Sequence, residues 1–331
     1  MARSDLVKAL VRSHQNGDDR AFHDATEAII QEERRKRHDL LADQIEAIMV
    51  ESRDGHSRPL QVSSLKPLPK TRNDLPLVTI HQPSISFHDL ELPADVTEPL
   101  EAVVEEFRLR SSLRAHGVEP RSSLLFVGPP GCGKSITAQA LAGELGLAVV
   151  RVQLAAIVSS YLGETARNLE QIFNFLRTGS WVLVFDEFDM LGRERSDRTD
   201  HGELRRVVAS MLQVIDDNDG DSLFVATTNH PSLLDSAVWR RFDEVLSFPL
   251  PDKGARLRLL ELKLRGVRHE VDLAEVAERT DGYSPAQIEN VCLDAIRMMV
   301  RRIERSVTSE HLAYGVAREE ARRQTISNSQ E

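Results

Sequence analysis

Eight consecutive residues, Gly128-Pro129-Pro130-Gly131-Cys132-Gly133-Lys134-Ser135, set three backbone-permissive glycines before one ammonium and one hydroxyl. Glycines let successive peptide N–H groups turn inward around an anion, and a helix beginning directly behind them adds the positive end of its dipole. The stretch Ile136-Thr-Ala-Gln-Ala-Leu-Ala reads as that helix, and Leu124–Val127 reads as a buried strand leading into the loop. Strand, glycine loop and helix in this order cradle the phosphates of a nucleotide. Lys134 would then neutralise β- and γ-phosphate charge, Ser135 would ligate Mg²⁺, and the loop through Ile136 is the expected nucleotide-binding set.

A second run, Trp181-Val-Leu-Val-Phe-Asp186-Glu187, is a buried strand that ends in two carboxylates. At the C-terminal edge of a sheet, beside the phosphate loop, Asp186 can hold a magnesium shell and Glu187 can orient and deprotonate an attacking water. The plainer alternative is an acidic pair capping a surface strand. A third run, Ser222-Leu-Phe-Val-Ala-Thr-Thr-Asn229, has the same buried character and a polar tip. The amide of Asn229 could bind the lytic water or the γ-phosphate, although Asn after a strand is also an ordinary turn residue. Its weight comes from its neighbours.

The elements that must hold these groups follow from the apolar pattern. Short runs at Leu124–Val127, Ala148–Val152, Trp181–Phe185, Ser222–Ala226 and Val245–Phe248 alternate with amphipathic stretches, as in a parallel sheet covered on both faces by helices. After Pro249-Leu-Pro251 helical patterns take over to about residue 324. One of them opens with Ser284 as N-cap, Pro285 at the first position and Gln287 completing a capping box; Thr308 opens the last. Toward the N-terminus, residues 3 to 52 read as helix, with Asp18 or Asp19 capping a segment that carries Phe22, Ile29, Ile30, Leu40, Leu41, Ile45, Ile48 and Met49. The charged cluster 32 to 39 within it is either a solvated face or a partner-binding patch.

The expected organisation is therefore a helical hairpin or bundle over 1–52 and a Pro-rich linker over 53–85. A nucleotide-binding α/β sandwich over 86–250, a small helical lid over 251–324 and a frayed tail over 325–331 complete it. The formal net charge of -10 argues against a general nucleic-acid or anionic-membrane binder. No apolar leader and no membrane-length apolar run occur, and two cysteines, Cys132 and Cys292, make neither a disulfide framework nor a metal spacing; cytoplasm is the expected location. Cys132 is either an inert small residue or a thiol made oxidisable by the helix start behind it.

From about Ser86 to Ala321 the chain resembles the AAA branch of the AAA+ ATPases, with the P-loop NTPase fold that this implies. Beside the two Walker motifs stand Ala226-Thr-Thr-Asn229-His-Pro231, similar to the family's sensor 1, and Leu234-Asp-Ser-Ala-Val-Trp-Arg240-Arg241-Phe242-Asp, similar to its arginine-finger segment. Gly282-Tyr-Ser-Pro-Ala-Gln-Ile-Glu-Asn-Val-Cys matches a sensor 2 region that lacks an arginine, as in the AAA clade.

The resemblance implies ATP and Mg²⁺ as ligands. It also implies a homohexameric ring in which Arg240 and Arg241 reach the γ-phosphate of the neighbouring subunit. Ser159-Ser160-Tyr161-Leu162-Gly163-Glu164-Thr165 resembles the first pore loop, which makes Tyr161 and Leu162 candidate substrate contacts; Ser160 stands where the family often has lysine. Gly192 to His201 falls at the second pore loop. The adenine-side segment is poorly matched by Ser86-Phe-His-Asp-Leu-Glu-Leu-Pro93, so the choice of ATP over GTP rests on the resemblance.

Three functions fit these residues: a ring that remodels or unfolds proteins, an ATP-gated switch that activates a partner, and a nucleic-acid machine. Acidic charge and the sensor 2 region weigh against the last. The helical N-terminal unit suits recruitment of a protein substrate or a partner enzyme. The short single-module layout with a helical N-terminal unit also resembles small bacterial AAA ATPases encoded beside a partner enzyme such as a subtilisin-like protease, which implies one such partner.

Overall fold

The computed structural model describes residues 68–157, 164–191, 222–234 and 236–328, together with Thr26 and Ala28. The chain divides into two compact units, Met1–Arg58 and Pro59–Glu331. In the first, Thr26 and Ala28 are helical; the expected helical hairpin and the 32–39 cluster lie outside the described residues.

In the second unit the described elements begin with β1 (Val78–His81), α1 (Ala94–Arg108), α2 (Arg110–Ala115), β2 (Ser123–Val127), α3 (Lys134–Leu145) and β3 (Ala148–Val152). They continue through α4 (Leu154–Ile157), α5 (Glu164–Leu176), β4 (Trp181–Phe185), β5 (Leu223–Thr228), α6 (Ser236–Trp239) and β6 (Glu244–Ser247). Four further helices follow, α7 (Lys253–Lys263), α8 (Leu273–Arg279), α9 (Pro285–Arg301) and α10 (Ser309–Asn328).

The strands form one sheet in the order β1-β3-β4-β5-β2-β6. Every pairing is parallel except β1 with β3. Consecutive side chains point to opposite faces, and the core obeys that rule residue by residue. Leu124, Phe126, Val182, Val184, Leu223 and Val225 pack on one face with α1 and α3. Leu125, Leu183, Phe185, Phe224 and Ala226 pack on the other with Ile172 and Phe175 of α5. Both faces of the central strands are covered, which explains their near-continuous apolar runs. Each such side chain contributes about 1.5–3 kcal/mol through its removal from water.

Two expectations need correction. The Pro-rich stretch 53–85 is not linker throughout, because Val78–His81 adds an antiparallel edge strand, with Val78 opposite Val152 and Leu77 and Val78 fully buried. Proline is tolerated just outside an edge strand, and the β-branched run Val-Thr-Ile needs only one neighbour to pair with. Nor does the last helix stop at 324. It runs to Asn328, with the Thr325 hydroxyl donating to the Ala321 carbonyl at 2.9 Å, and no Gly or Pro after Gly315 interrupts it.

The helices after Pro251 enclose a separate core, including Leu259, Leu260, Val276, Ile288, Val291 and Leu312. Its central helix starts as the sequence predicts: Ser284 Oγ accepts from the Gln287 N–H at 3.4 Å, and Gln287 Oε1 accepts from the Ser284 N–H at 2.9 Å. Among the described residues no helix is long and apolar enough to cross a membrane.

Candidate functional site

The phosphate loop leaves the C-terminal end of β2 and is held from two sides. Gly128 has φ +151°, and a side chain there would collide with the Phe248 carbonyl oxygen beyond β6. Gly131 has φ +78°, and a Cβ at that position would lie 2.8 Å from Ser284 Oγ at the start of α9. The Gly131 carbonyl accepts from the Ala286 N–H at 3.1 Å, so the first turn of α9 is bonded directly to the loop. Only glycine supplies both the positive φ and the clearance.

Lys134 is 6% exposed, and its three ammonium protons are spent on Gly128 O (2.7 Å), Pro129 O (2.8 Å) and Asn229 Oδ1 (2.8 Å). Burial lowers its pKa, with Cys132, Asp189 and Asp186 opposing that effect. Ser135 Oγ donates to Asp186 Oδ1 at 2.7 Å, and Thr227 Oγ1 donates to the same oxygen at 3.1 Å. Arg151 Nε stands 3.2 Å from Asp186 Oδ2.

Glu187 follows with φ +55°, a left-handed conformation costly for a residue with a Cβ, and its N–H donates to Thr227 Oγ1 at 3.3 Å. The strands' parallel register delivers these groups together, since β4 and β5 end side by side and β2 ends next to β5. Lys134, Ser135, Asp186 and Asn229 therefore meet, and Glu187 shares their pocket.

That pocket is a cavity of about 710 Å³, within the size range of small-molecule sites. Its polar end is the loop and the tips of β4 and β5. Its apolar lining comes from Leu90 and Leu92 ahead of α1 and from Leu259, Leu262 and Ala286 of the helices after Pro251. Glu91 and Arg258 pair across the same two elements at 2.5 Å. The segment 89–92, poorly matched to the family pattern, thus lines the cavity, joined by α7, which carried no motif, and by the start of α9, which did.

The sequence reading also passed over Asp189, which is 3% exposed and accepts from Thr228 Oγ1 (3.0 Å) and the Asn229 N–H (3.3 Å), so it orients the tip of β5. Its signal was present as an acidic residue three positions after Asp186. Arg151, inside a buried strand, had none beyond a charge interrupting an apolar run.

Arg240 and Arg241 are not brought to this pocket. They follow α6, and the Arg241 carbonyl accepts from Ser123 Oγ at the N-terminal end of β2 (3.1 Å). The loop leaves the other end of that strand, about 17 Å away at the usual rise per residue. Tyr161, Leu162 and the 192–201 segment lie outside the described residues. Cys132 is 6% exposed, and burial raises its thiol pKa despite Lys134 nearby, which corrects the oxidisable alternative in favour of the inert one.

The donor set suits Mg²⁺. Ser135 and Asp186 offer a hydroxyl and a carboxylate in contact, and among the described residues no group of three His, Cys, Asp or Glu forms a metal cage. Few protein ligands completed by substrate phosphates and water is how this ion is usually held.

A glycine loop bonded to a buried lysine, with two carboxylates at one strand tip and an amide at the next under a helical cap, defines a nucleotide-binding protein of the P-loop NTPase fold. Residues 124–250 match the model of the ATPase family associated with various cellular activities (AAA), and residues 270–313 match that of the AAA+ lid domain. An uncharacterised AAA family ATPase, y4kL, of Sinorhizobium fredii is 41% identical over 98% of this chain and 97% of its own. A proteasome-activating nucleotidase of Pyrococcus horikoshii is 32% identical over 76% of this chain, which spans 66% of that relative. A cell division cycle protein 48 homolog of Archaeoglobus fulgidus is 31% identical over 74% of this chain and 33% of its own length. The chain belongs to the AAA family of ATPases; it binds nucleotide and hydrolyses ATP.

Proposed function

We propose that copies of this chain assemble head to tail into a homohexameric ring, in the cytoplasm, that uses ATP hydrolysis to remodel or unfold protein substrates. The observation that carries this reading is the distance between Arg240 and Arg241 and the phosphate loop of the same chain, at opposite ends of β2. Arginines that belong to the reaction but cannot reach their own nucleotide serve a neighbour's, and a head-to-tail contact of that kind closes into a ring.

Within one site the loop from Gly128 to Ile136 wraps the phosphates, its N–H groups from Gly131 onward and Lys134 binding them, and Ser135 and Asp186 would hold Mg²⁺. The ion neutralises phosphate charge when bound. Glu187 takes the proton of the attacking water, Asn229 positions it, and the neighbour's arginines stabilise charge on the transferring phosphoryl group.

Residues 1–52 recruit the substrate or partner enzyme; the stretch between them and β1 tethers them to the ATPase body, which takes in β1 and runs to residue 250, and 251–328 form its lid. Support for a protein substrate comes from the relatives' names, a proteasome-activating nucleotidase and a cell division cycle 48 homolog. Tyr161 and Leu162 are the proposed contacts to it.

The test is a mixing experiment. Arg241→Ala and Lys134→Ala chains should each be nearly inactive alone. Mixed in equal amounts, they should recover about a quarter of wild-type ATPase, because one interface in four then joins an intact loop to an intact arginine. No recovery would place the arginine and the loop in one chain's site and remove the case for the ring. Tyr161→Ala should abolish protein unfolding while sparing ATPase; unfolding at full rate would favour the switch that activates a partner without threading.

A further inference from the structure

Both oxygens of Asp186 are already engaged. Oδ1 accepts from the hydroxyls of Ser135 (2.7 Å) and Thr227 (3.1 Å), and Oδ2 faces Arg151 Nε at 3.2 Å. Arg151 reaches the site from β3, the strand beside β4, and lines the cavity together with Glu187. Its Nε is buried yet has no aligned acceptor among the described residues, so the contact with Asp186 is Coulombic and its hydrogen bond is unmade. A buried donor left in that condition gains by finding a better acceptor.

We propose that Arg151 is a positioning residue that acts as the counter-cation of Asp186 in the nucleotide-free site, so that a divalent ion enters only together with the nucleotide. The inference rests on the reading of Asp186 as a metal-holding carboxylate. A bare Mg²⁺ approaching Asp186 meets a guanidinium already beside the carboxylate, and like charges at such distances repel appreciably even in a partly solvated site. Mg²⁺ also gives up water reluctantly, so a neutralised carboxylate has little to offer it. A triphosphate reverses the balance. It brings several negative charges and many acceptor oxygens, which satisfy both the ion and the orphaned Nε, and Arg151 can release Oδ2.

The experiment titrates Mn²⁺ into the nucleotide-stripped full-length chain and reads free Mn²⁺ by electron paramagnetic resonance. Wild type should bind weakly. Arg151→Met should bind at least about tenfold more tightly, by loss of one adjacent positive charge. Arg151→Lys, which keeps the charge, should behave as wild type. Equal affinities of wild type and Arg151→Met would overturn the proposal, as would tight binding by Arg151→Lys.

The same titration with a non-hydrolysable ATP analogue tests the reading beneath it. Asp186→Asn should weaken Mn²⁺ binding to the loaded chain. If it does not, Asp186 is no metal holder, and the inference falls for that separate reason.

Discussion

Lys134 Nζ donates to Asn229 Oδ1 over 2.8 Å, so the phosphate loop and the tip of β5 are bonded to each other through the side chains that would face the γ-phosphate. The remaining protons of Lys134 go to two neutral carbonyls of the loop itself. The lysine thus fills its own cradle, and phosphate binding exchanges neutral acceptors for charged ones, which strengthens each bond about twofold. Lys134 then gives up Asn229 Oδ1 as one of its three acceptors, and the amide is free to orient water. Asn229→Ala should leave the ATP dissociation constant within a few-fold and lower turnover by about 10²-fold, the usual cost of one preorganised polar group. Equilibrium binding of a fluorescent ATP analogue beside steady-state ATPase separates the two effects.

Glu187 occupies a left-handed backbone conformation with its N–H fixed on Thr227, so its carboxylate is aimed by the main chain. Glu187→Gln keeps shape and hydrogen bonding but removes the base. Nucleotide affinity should be preserved and single-turnover hydrolysis should fall by about 10²–10⁴-fold. Hydrolysis at the wild-type rate would show that another group takes the proton.

Much of this site was legible because its residues are contiguous in sequence where the backbone does the chemistry. The loop needs closely spaced glycines, and Asp186 with Glu187 sits at the end of one apolar run. The two apolar faces of the sheet were equally plain, since all but two residues of β2, β3, β4 and β5 are buried on one face or the other.

What escaped depends on pairs distant in sequence. Arg151 meets Asp186 only because β3 and β4 are neighbours, and the Leu259 and Leu262 wall exists only because α7 folds back over the loop. Strand β1 was hidden by prolines that lie just outside it. Asp189 was the exception: its position near Asp186 was visible, but its burial was not.

The joint between loop and lid rests on Gly131. Gly131→Ala must accept an unfavourable φ, worth about 1–2 kcal/mol, and place a methyl against Ser284 Oγ. The expected result is ATP affinity reduced by about tenfold or more, because the loop can no longer close under α9. The double variant Gly131→Ala with Ser284→Ala removes the contact with Oγ but leaves Ala286 Cβ at 3.2 Å and the strained φ, and should recover part of the loss relative to Ser284→Ala alone, which controls for the lost N-cap. Full recovery would mean that the backbone conformation is irrelevant, and no recovery that the contact with Ser284 is.

Far from the nucleotide, Arg121 joins three elements at the entrance to β2. Its side chain bonds Glu106 of α1 at 2.6 Å and Glu244 of β6 at 2.7 Å, all three side chains being about 70% buried. The Arg121 N–H adds a further bond to Glu106 at 3.0 Å. Hydrogen bonds from Arg121 hold the Glu106 carboxyl below its ordinary range, with partial burial acting the other way. A carboxylate with a depressed folded-state pKa contributes stability that is fully present above the unfolded value, about pH 4.3, and is lost as pH falls through the folded one. Glu106→Gln should therefore cost about 1–2 kcal/mol at pH 7. That difference should shrink below about pH 4.3, where wild type takes up the proton that the variant never binds. Urea unfolding of both chains at pH 7, 5, 4 and 3 gives the difference directly, since every other acid group titrates alike in the two. A difference constant across that range would show that the charge of Glu106 is not what anchors α1 to the sheet.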